Sequence, residues 1–427
     1  MRVLLSAYAC EPHVGSEQTK AWRFAMALAG LGHDVTVLTC GAHHRAAIEA
    51  ELARDPQPPR LRFVWHDPAG LRAPGYANAR LIRHHYMRWQ LGARRVVRRL
   101  HAEQPFDVIH HLTWAVLRWP CLLGGLGPRL VLGPVGGGEA APWRLRRGMG
   151  LRAGACELIR DLANRWAQLD PLVRWSLARA DVILAADRAT LAAIPACHRG
   201  RAALEPELFT DLAPWSRVSP PPPAPPGRLD LLCVARLEGW KGLHLALDAF
   251  AGLAARVPEA RLRIAGTGPG AAQLQAQARR QGIADRVEWL GRLPHPAMPA
   301  LYRRHDLFLF PSLHDTGGQA LGEALAAGLP AVTLDLGGPG MVVDPSCGVA
   351  VPARGRSRAA VIADLAAALT GLALDPARRR RLAHGAIARA RALGTEGRVP
   401  DFVERWYRGA VAVPPTQAER PPAPVPG

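Results

Sequence analysis

Short apolar runs recur along the chain, each followed by a stretch long enough for one helix. In the first half they are Arg2–Ala7, His33–Thr39, Leu61–Trp65, Phe106–Leu112, Arg129–Gly133 and Asp181–Ala185. The series continues from Leu229 through Leu262–Ala265, Val287–Leu290, Asp306–Phe310 and Ala331–Leu334. Most of these runs are apolar at successive positions, the pattern of strands buried on both faces of a parallel sheet. Strands alternating with helices predict an α/β fold. Between the two series lies APWSRVSPPPPAPPG, Ala213 to Gly227, whose prolines stiffen it into an extended spacer. A chain of 427 residues is comfortable for two Rossmann-like halves. The expected division is a first domain over 1–205, a linker over 206–228, a second domain over 229–396 and a terminal helix over 397–412. Residues 413–427 are too poor in apolar side chains to fold.

The polar positions narrow the chemistry. In DLFLFPSLHDTGGQALGEALAAGLPAVTLDLGGPG, Asp306 to Gly340, a strand ends at Pro311. The chain then turns through Asp315, Thr316, Gly317 and Gly318 into a helix that Gly328 and Pro330 stop. Asp315 and Glu323 stand roughly 12 Å apart if the segment is helical, at 1.5 Å per residue. That is wider than the pair of carboxylates a glycosidase uses, and suits two ends of one extended ligand. Gly317 and Gly318 at the helix start offer backbone N–H groups and the positive end of the dipole to an anion. Upstream, in LDLLCVARLEGWKG, Leu229 to Gly242, a strand delivers Arg236, and Lys241 follows before a helix. Only Lys20 and Lys241 are lysines in a chain whose other cationic residues, histidines aside, are arginine. A lysine kept there reads as a point charge for phosphate.

These two stretches together resemble the donor-binding half of family-four retaining glycosyltransferases of group 1. The opening AYACEPHVGSE and the later GPVGGGE are similar to one branch of that family. The resemblance implies the GT-B fold, two Rossmann-like domains with parallel sheets facing across a cleft. The first would bind an acceptor and the second a nucleotide diphosphate sugar. It implies that Arg236 and Lys241 grip the donor diphosphate, that Asp315, in a place usually held by Glu, contacts the sugar, and that Glu323 contacts the ribose. Gly15 is expected to face the donor phosphate and the acceptor. His111, favoured over His110, is expected to line the cleft beside the transferring sugar. Arg292 follows a strand where the family holds the base. Gly136 to Gly138 is either a hinge or a close approach of backbone to substrate. Retention without a protein nucleophile, a metal or a cofactor is the implied chemistry, with a glycan or lipid-linked acceptor.

Charge and cysteine alter this picture little. The formal charge of +19 comes almost wholly from arginine and predicts attraction to anionic surfaces. The arginines are spread over both halves without a nucleic-acid-binding module, so no nucleic-acid partner is expected. Between Asn78 and His101 a basic helix is expected to pack Tyr86, Trp89, Leu91, Val96 and Val97 inward, with contact to an anionic membrane as the less favoured reading. Seven scattered cysteines without a C-x-x-C pair fit a reducing cytoplasm. A sugar phosphorylase, a nucleotide-sugar epimerase and a non-catalytic membrane-surface protein stand as alternatives.

Overall fold

The computed structural model describes residues 1–14, 16–55, 60–70, 79–207 and 227–409. The first sheet contains β1 (Arg2–Ser6), β2 (Asp34–Thr39), β3 (Leu61–Trp65), β4 (Val108–His111), β5 (Arg129–Val135), β6 (Val182–Ala185) and β7 (Ala202–Leu204). The second contains β8 (Arg228–Val234), β9 (Glu259–Ala265), β10 (Val287–Gly291), β11 (Leu307–Phe310), β12 (Ala331–Leu334) and β13 (Gly348–Val351). Their orders are β3-β2-β1-β4-β5-β6-β7 and β10-β9-β8-β11-β12-β13, with every pairing parallel. In each sheet the order reverses beside its first strand, between β1 and β4 and between β8 and β11. An open parallel sheet binds its ligand at such a point, beyond the carboxyl ends of the strands. Arg236 and Asp315 both lie just past those ends.

Helix faces follow the apolar spacing. In Ala79–Glu103 the residues Ile82, Tyr86, Trp89, Ala93, Val97 and Leu100 are buried at three- and four-residue intervals against the first sheet. Leu91 departs from the expectation: it is 58% exposed, because it stands about two-fifths of a turn from the stripe set by Trp89 and Ala93. The apolar helix Leu243–Ala254 is buried beneath Arg358–Leu374 in the core of the second sheet. No single helix among the described residues is long and apolar enough to cross a membrane.

Two segments tie the halves together. The final helix, Thr395–Phe402, runs into a π-helical turn, Val403–Arg408, and buries Val399, Phe402, Trp406 and Tyr407 with Val3, Leu5 and Phe24 of the first domain. Tyr407 Oη lies 2.7 Å from His110 Nδ1, and Trp406 Nε1 donates to Glu205 at 2.9 Å. In the other direction, Ala141, Leu145 and Met149 leave the first domain to join the core of the second. His244 Nε2 lies 3.0 Å from the Leu145 carbonyl, and Gln273 donates to that of Gly148 at 2.7 Å. A division at residue 205 therefore misses a first-half segment that packs on the second half. Residues 208–226 of the expected linker, the last three of the expected terminal helix and the whole expected tail, 413–427, lie outside the described residues.

Candidate functional site

A cavity of about 390 Å³ opens between the two switch points. From the second domain its wall takes Val234, Arg236, Lys241, Phe310, Asp315 and the start of the helix Gln319–Ala326, including Gly317 and Gly318. Arg292 also lines it. Gly318 caps that helix at φ 79°, a left-handed conformation that a residue with a Cβ resists. Lys241 Nζ donates to both oxygens of Asp315, at 2.7 and 3.0 Å, and sits 4.1 Å above the Trp240 ring. Trp240 in turn stacks on His314 with centroids 4.6 Å apart. Arg236 pairs with Glu238 at 2.8 Å, yet its side chain is 70% exposed and free to turn toward a ligand. The sequence signals Arg236, Lys241, Asp315, Gly317 and Gly318 thus converge on one cavity.

The opposite wall comes from Glu17 and Lys20 on the first helix, Ser16–Gly30, and from Glu207 beyond β7. Lys20 is 4% exposed and donates to Glu17 at 3.0 Å and Glu207 at 3.1 Å. Burial alone disfavours its ammonium, but the two carboxylates outweigh burial and hold it charged well above the usual lysine range. Glu17 also accepts the Trp114 backbone N–H at 2.7 Å. Both lysines of the chain therefore line this cavity. Sequence reasoning noted the rarity of Lys20 without assigning it a place.

Two expected residues stand back from the cavity. His111 is 1% exposed, with Nδ1 3.0 Å from Ser6 Oγ and Nε2 3.0 Å from Tyr86 Oη. Burial pushes its pKa down to about 3, so the ring is neutral. Its position at the end of β4 directs it under the helix Ala79–Glu103 rather than into the cleft. His110 points to the other face, against Phe402 and Tyr407. Glu323 is 9% exposed and accepts from Tyr302 Oη at 3.0 Å. It also stands 3.4 Å from His295 Nε2 and does not line the cavity. Gly15 lies outside the described residues.

A second cavity, about 870 Å³, adjoins the first and shares Asp315 and Thr316 with it. Arg83, Arg118, Arg160, Glu139 and the helix Leu151–Ala167 line it. Arg160 pairs with Glu139 at 2.7 Å, and burial lowers Arg118 to about 10. His314 Nε2 meets Glu157 at 2.9 Å across the domains, both side chains buried. At the shared edge a Cβ on Gly136 would stand 2.3 Å from the Thr316 methyl. Gly136 thus lets the two domains touch beside Asp315.

Paired parallel sheets with a cavity between their switch points define the GT-B architecture, and solved structures agree. A sucrose-phosphate synthase from Thermosynechococcus elongatus superimposes with a TM-score of 0.59 at 17% identity, covering 96% of this chain and 98% of that one. A lipopolysaccharide outer core galactosyltransferase gives 0.60 at 14% identity, over 94% and 98% of the respective chains. Residues 218–389 match the family model described as glycosyl transferases group 1. A GDP-mannose-dependent alpha-(1-6)-phosphatidylinositol monomannoside mannosyltransferase of Mycolicibacterium smegmatis is 30% identical over 281 residues, 58% of this chain and 72% of its own length. Glycogen synthase of Mycobacterium tuberculosis is 29% identical over 401 residues, 90% of this chain and 89% of its own. The chain belongs to the group 1 glycosyl transferases.

Proposed function

We propose that the protein is a retaining, metal-independent transferase that moves a hexose-type sugar from a nucleotide diphosphate sugar to a hydroxyl acceptor. The observation that carries this reading is the meeting of the two cavities at Asp315 and Thr316. In the smaller cavity, Arg236, Lys241 and the start of the helix Gln319–Ala326 would neutralise the leaving diphosphate. Stabilising charge where it develops is commonly the largest catalytic contribution. The incoming phosphates would compete with Asp315 for Lys241 and free that carboxylate for the sugar hydroxyls. The larger cavity would bring the acceptor hydroxyl to the anomeric carbon on the face the diphosphate leaves. The C–O bond to phosphate breaks, the bond to the acceptor oxygen forms, and the acceptor proton passes to the departing phosphate. His111, set back from the cavity, would position the first-domain wall through Ser6 and Tyr86.

The acceptor in this reading is lipid-linked, and the enzyme works on the cytoplasmic face of a membrane in cell-surface polysaccharide or glycolipid assembly. Support comes from the outer face of the helix Leu151–Ala167 and the turn after it, where Leu151, Ile159, Trp166 and Leu169 are 96%, 66%, 71% and 67% exposed. Exposed Arg147, Arg152 and Arg165 flank them, while the nearby acids Glu157 and Asp161 pair internally with His314 and Arg146. Leu151 and Ile159 also line the larger cavity, so the apolar face continues into it. The test is release of nucleoside diphosphate from candidate donors with and without lipid-linked acceptor in anionic vesicles. Acceptor-dependent release with unchanged anomeric configuration agrees with the proposal. Inversion, a requirement for free phosphate, or epimer formation without acceptor contradicts it.

A further inference from the structure

A cluster of metal-ligating side chains lies in the first domain, outside the cavities described above. Cys40 follows β2 and caps the helix Gly41–Arg54, so it and His43 form a C-x-x-H pair at the start of that helix. His85 reaches the same spot from the helix Ala79–Glu103. One ligand atom from each of the three lies within 4.8 Å of the others. A tetrahedral zinc centre with bonds of roughly 2.0 to 2.3 Å spaces its ligand atoms a little over 3 Å apart, so modest side-chain adjustment closes the set.

Two further observations point to an ion. His85 is 2% exposed; its Nδ1 lies 2.8 Å from Tyr8 Oη, while its Nε2 is buried without a hydrogen-bond partner. With Nδ1 donating to Tyr8, Nε2 presents a bare lone pair, the state that a ligating histidine adopts when an outer partner fixes its tautomer. A buried polar atom left unpaired carries a desolvation cost that a bound cation would remove. Asp67, beyond β3, accepts from Cys40 Sγ at 3.2 Å and from the Ala42 backbone at 2.9 Å. Asp67 lies outside the three-residue set, and its exposed carboxylate, beside the thiol, would turn in as the fourth donor.

We infer that Cys40, His43 and His85, completed by Asp67, form a site for a zinc-class divalent cation. Thiolate and imidazole donors with one carboxylate suit zinc rather than magnesium or calcium. On binding, the Cys40 thiol releases its proton to solvent and the oxidation state of the metal does not change. The ion links the exits of β2 and β3 to the helix Ala79–Glu103. It therefore braces the acceptor-side domain and takes no step in sugar transfer.

The test uses the full-length chain, stripped with chelator and titrated with Co²⁺ and then Zn²⁺. The expected result is one equivalent of Co²⁺ with a thiolate-to-metal charge-transfer band that Zn²⁺ abolishes. Cys40→Ser should lose the band, and His85→Gln should weaken binding at least tenfold. Zn²⁺ should also raise the melting temperature of the wild type above that of the chelated protein, a measurement that requires no folded variant. Absence of the band in wild type, or a band undiminished in Cys40→Ser and hence arising from the exposed Cys156 or Cys197, overturns the assignment. So does a melting temperature indifferent to Zn²⁺.

Discussion

The two lysines face each other across one cavity and are held in different ways. Lys20 is locked between two carboxylates and 4% exposed. Lys241 pairs with the single carboxylate of Asp315 and rests on the face of Trp240. The first has its charge matched within the protein and fastens the helix Ser16–Gly30 to the segment after β7. The second has one partner that a phosphate can replace. A buried cation can thus serve as a strut or as a ligand contact, and the number of carboxylates around it separates the roles.

Exchanging the two lysines' fates in mutants tests this contrast. Lys241→Ala should lower kcat about a hundredfold with little loss of stability, as removal of a contact to developing charge does. Unchanged kcat in a steady-state assay would remove its assigned role. Lys20→Met should act mainly on folding, costing about 2 kcal/mol. That is below the full cost of breaking a buried pair, because Glu17 and Glu207 remain partly exposed. Chemical denaturation measures it, and a purely kinetic defect would erase the distinction.

Acid sharpens the comparison by a second route, in which burial leads and the Lys20 charge adds to the lowering of His110. Burial holds His110 and His244 near 4 and His111 near 3, below the ordinary histidine range. Above about pH 7.5 neither the folded nor the unfolded form of these rings carries appreciable charge, and they contribute little pH dependence. As pH falls from there toward 4, the unfolded chain takes up protons that the folded rings refuse. Stability should drop by up to about 1.4 kcal/mol per pH unit for each ring. Melting curves that stay flat from pH 6.5 to 4.5 would contradict their buried, neutral state. The smallest effect is expected for Gly136→Ala, whose methyl would press on Thr316 across the cleft. Catalytic efficiency should fall a few-fold and recover in a double variant with Thr316→Ser, which removes the methyl it meets.

The second domain was legible in the sequence because its contribution to the site is local. Arg236 and Lys241 share one strand-loop-helix unit, and Asp315, Gly317 and Gly318 share another. The apolar runs likewise revealed both parallel sheets except for one edge strand of each, β7 and β13. The first-domain wall was not legible, because it is assembled at long range: Lys20 meets Glu207 across 187 positions of sequence. No periodicity encodes that pairing, although the scarcity of lysine was a usable sign. His111 was placed at the correct strand end, but which side of the sheet receives it depends on the helix Ala79–Glu103 packing Tyr86 over it. The excursion of Ala141 to Met149 into the second domain's core has no local signature. The C-x-x-H spacing of Cys40 and His43 was visible, yet two ligands do not make a site until folding brings His85 beside them.

The most direct measurement of the central claim is thermal stability with UDP, GDP and ADP for the wild type, Lys241→Ala and Lys20→Met. A ligand that binds only the folded state raises its melting temperature. One of these diphosphates should raise the melting temperature of the wild type and of Lys20→Met, and leave Lys241→Ala unmoved. No shift in the wild type with any of them, or an equal shift in Lys241→Ala, would contradict the assignment of this cavity to the donor diphosphate.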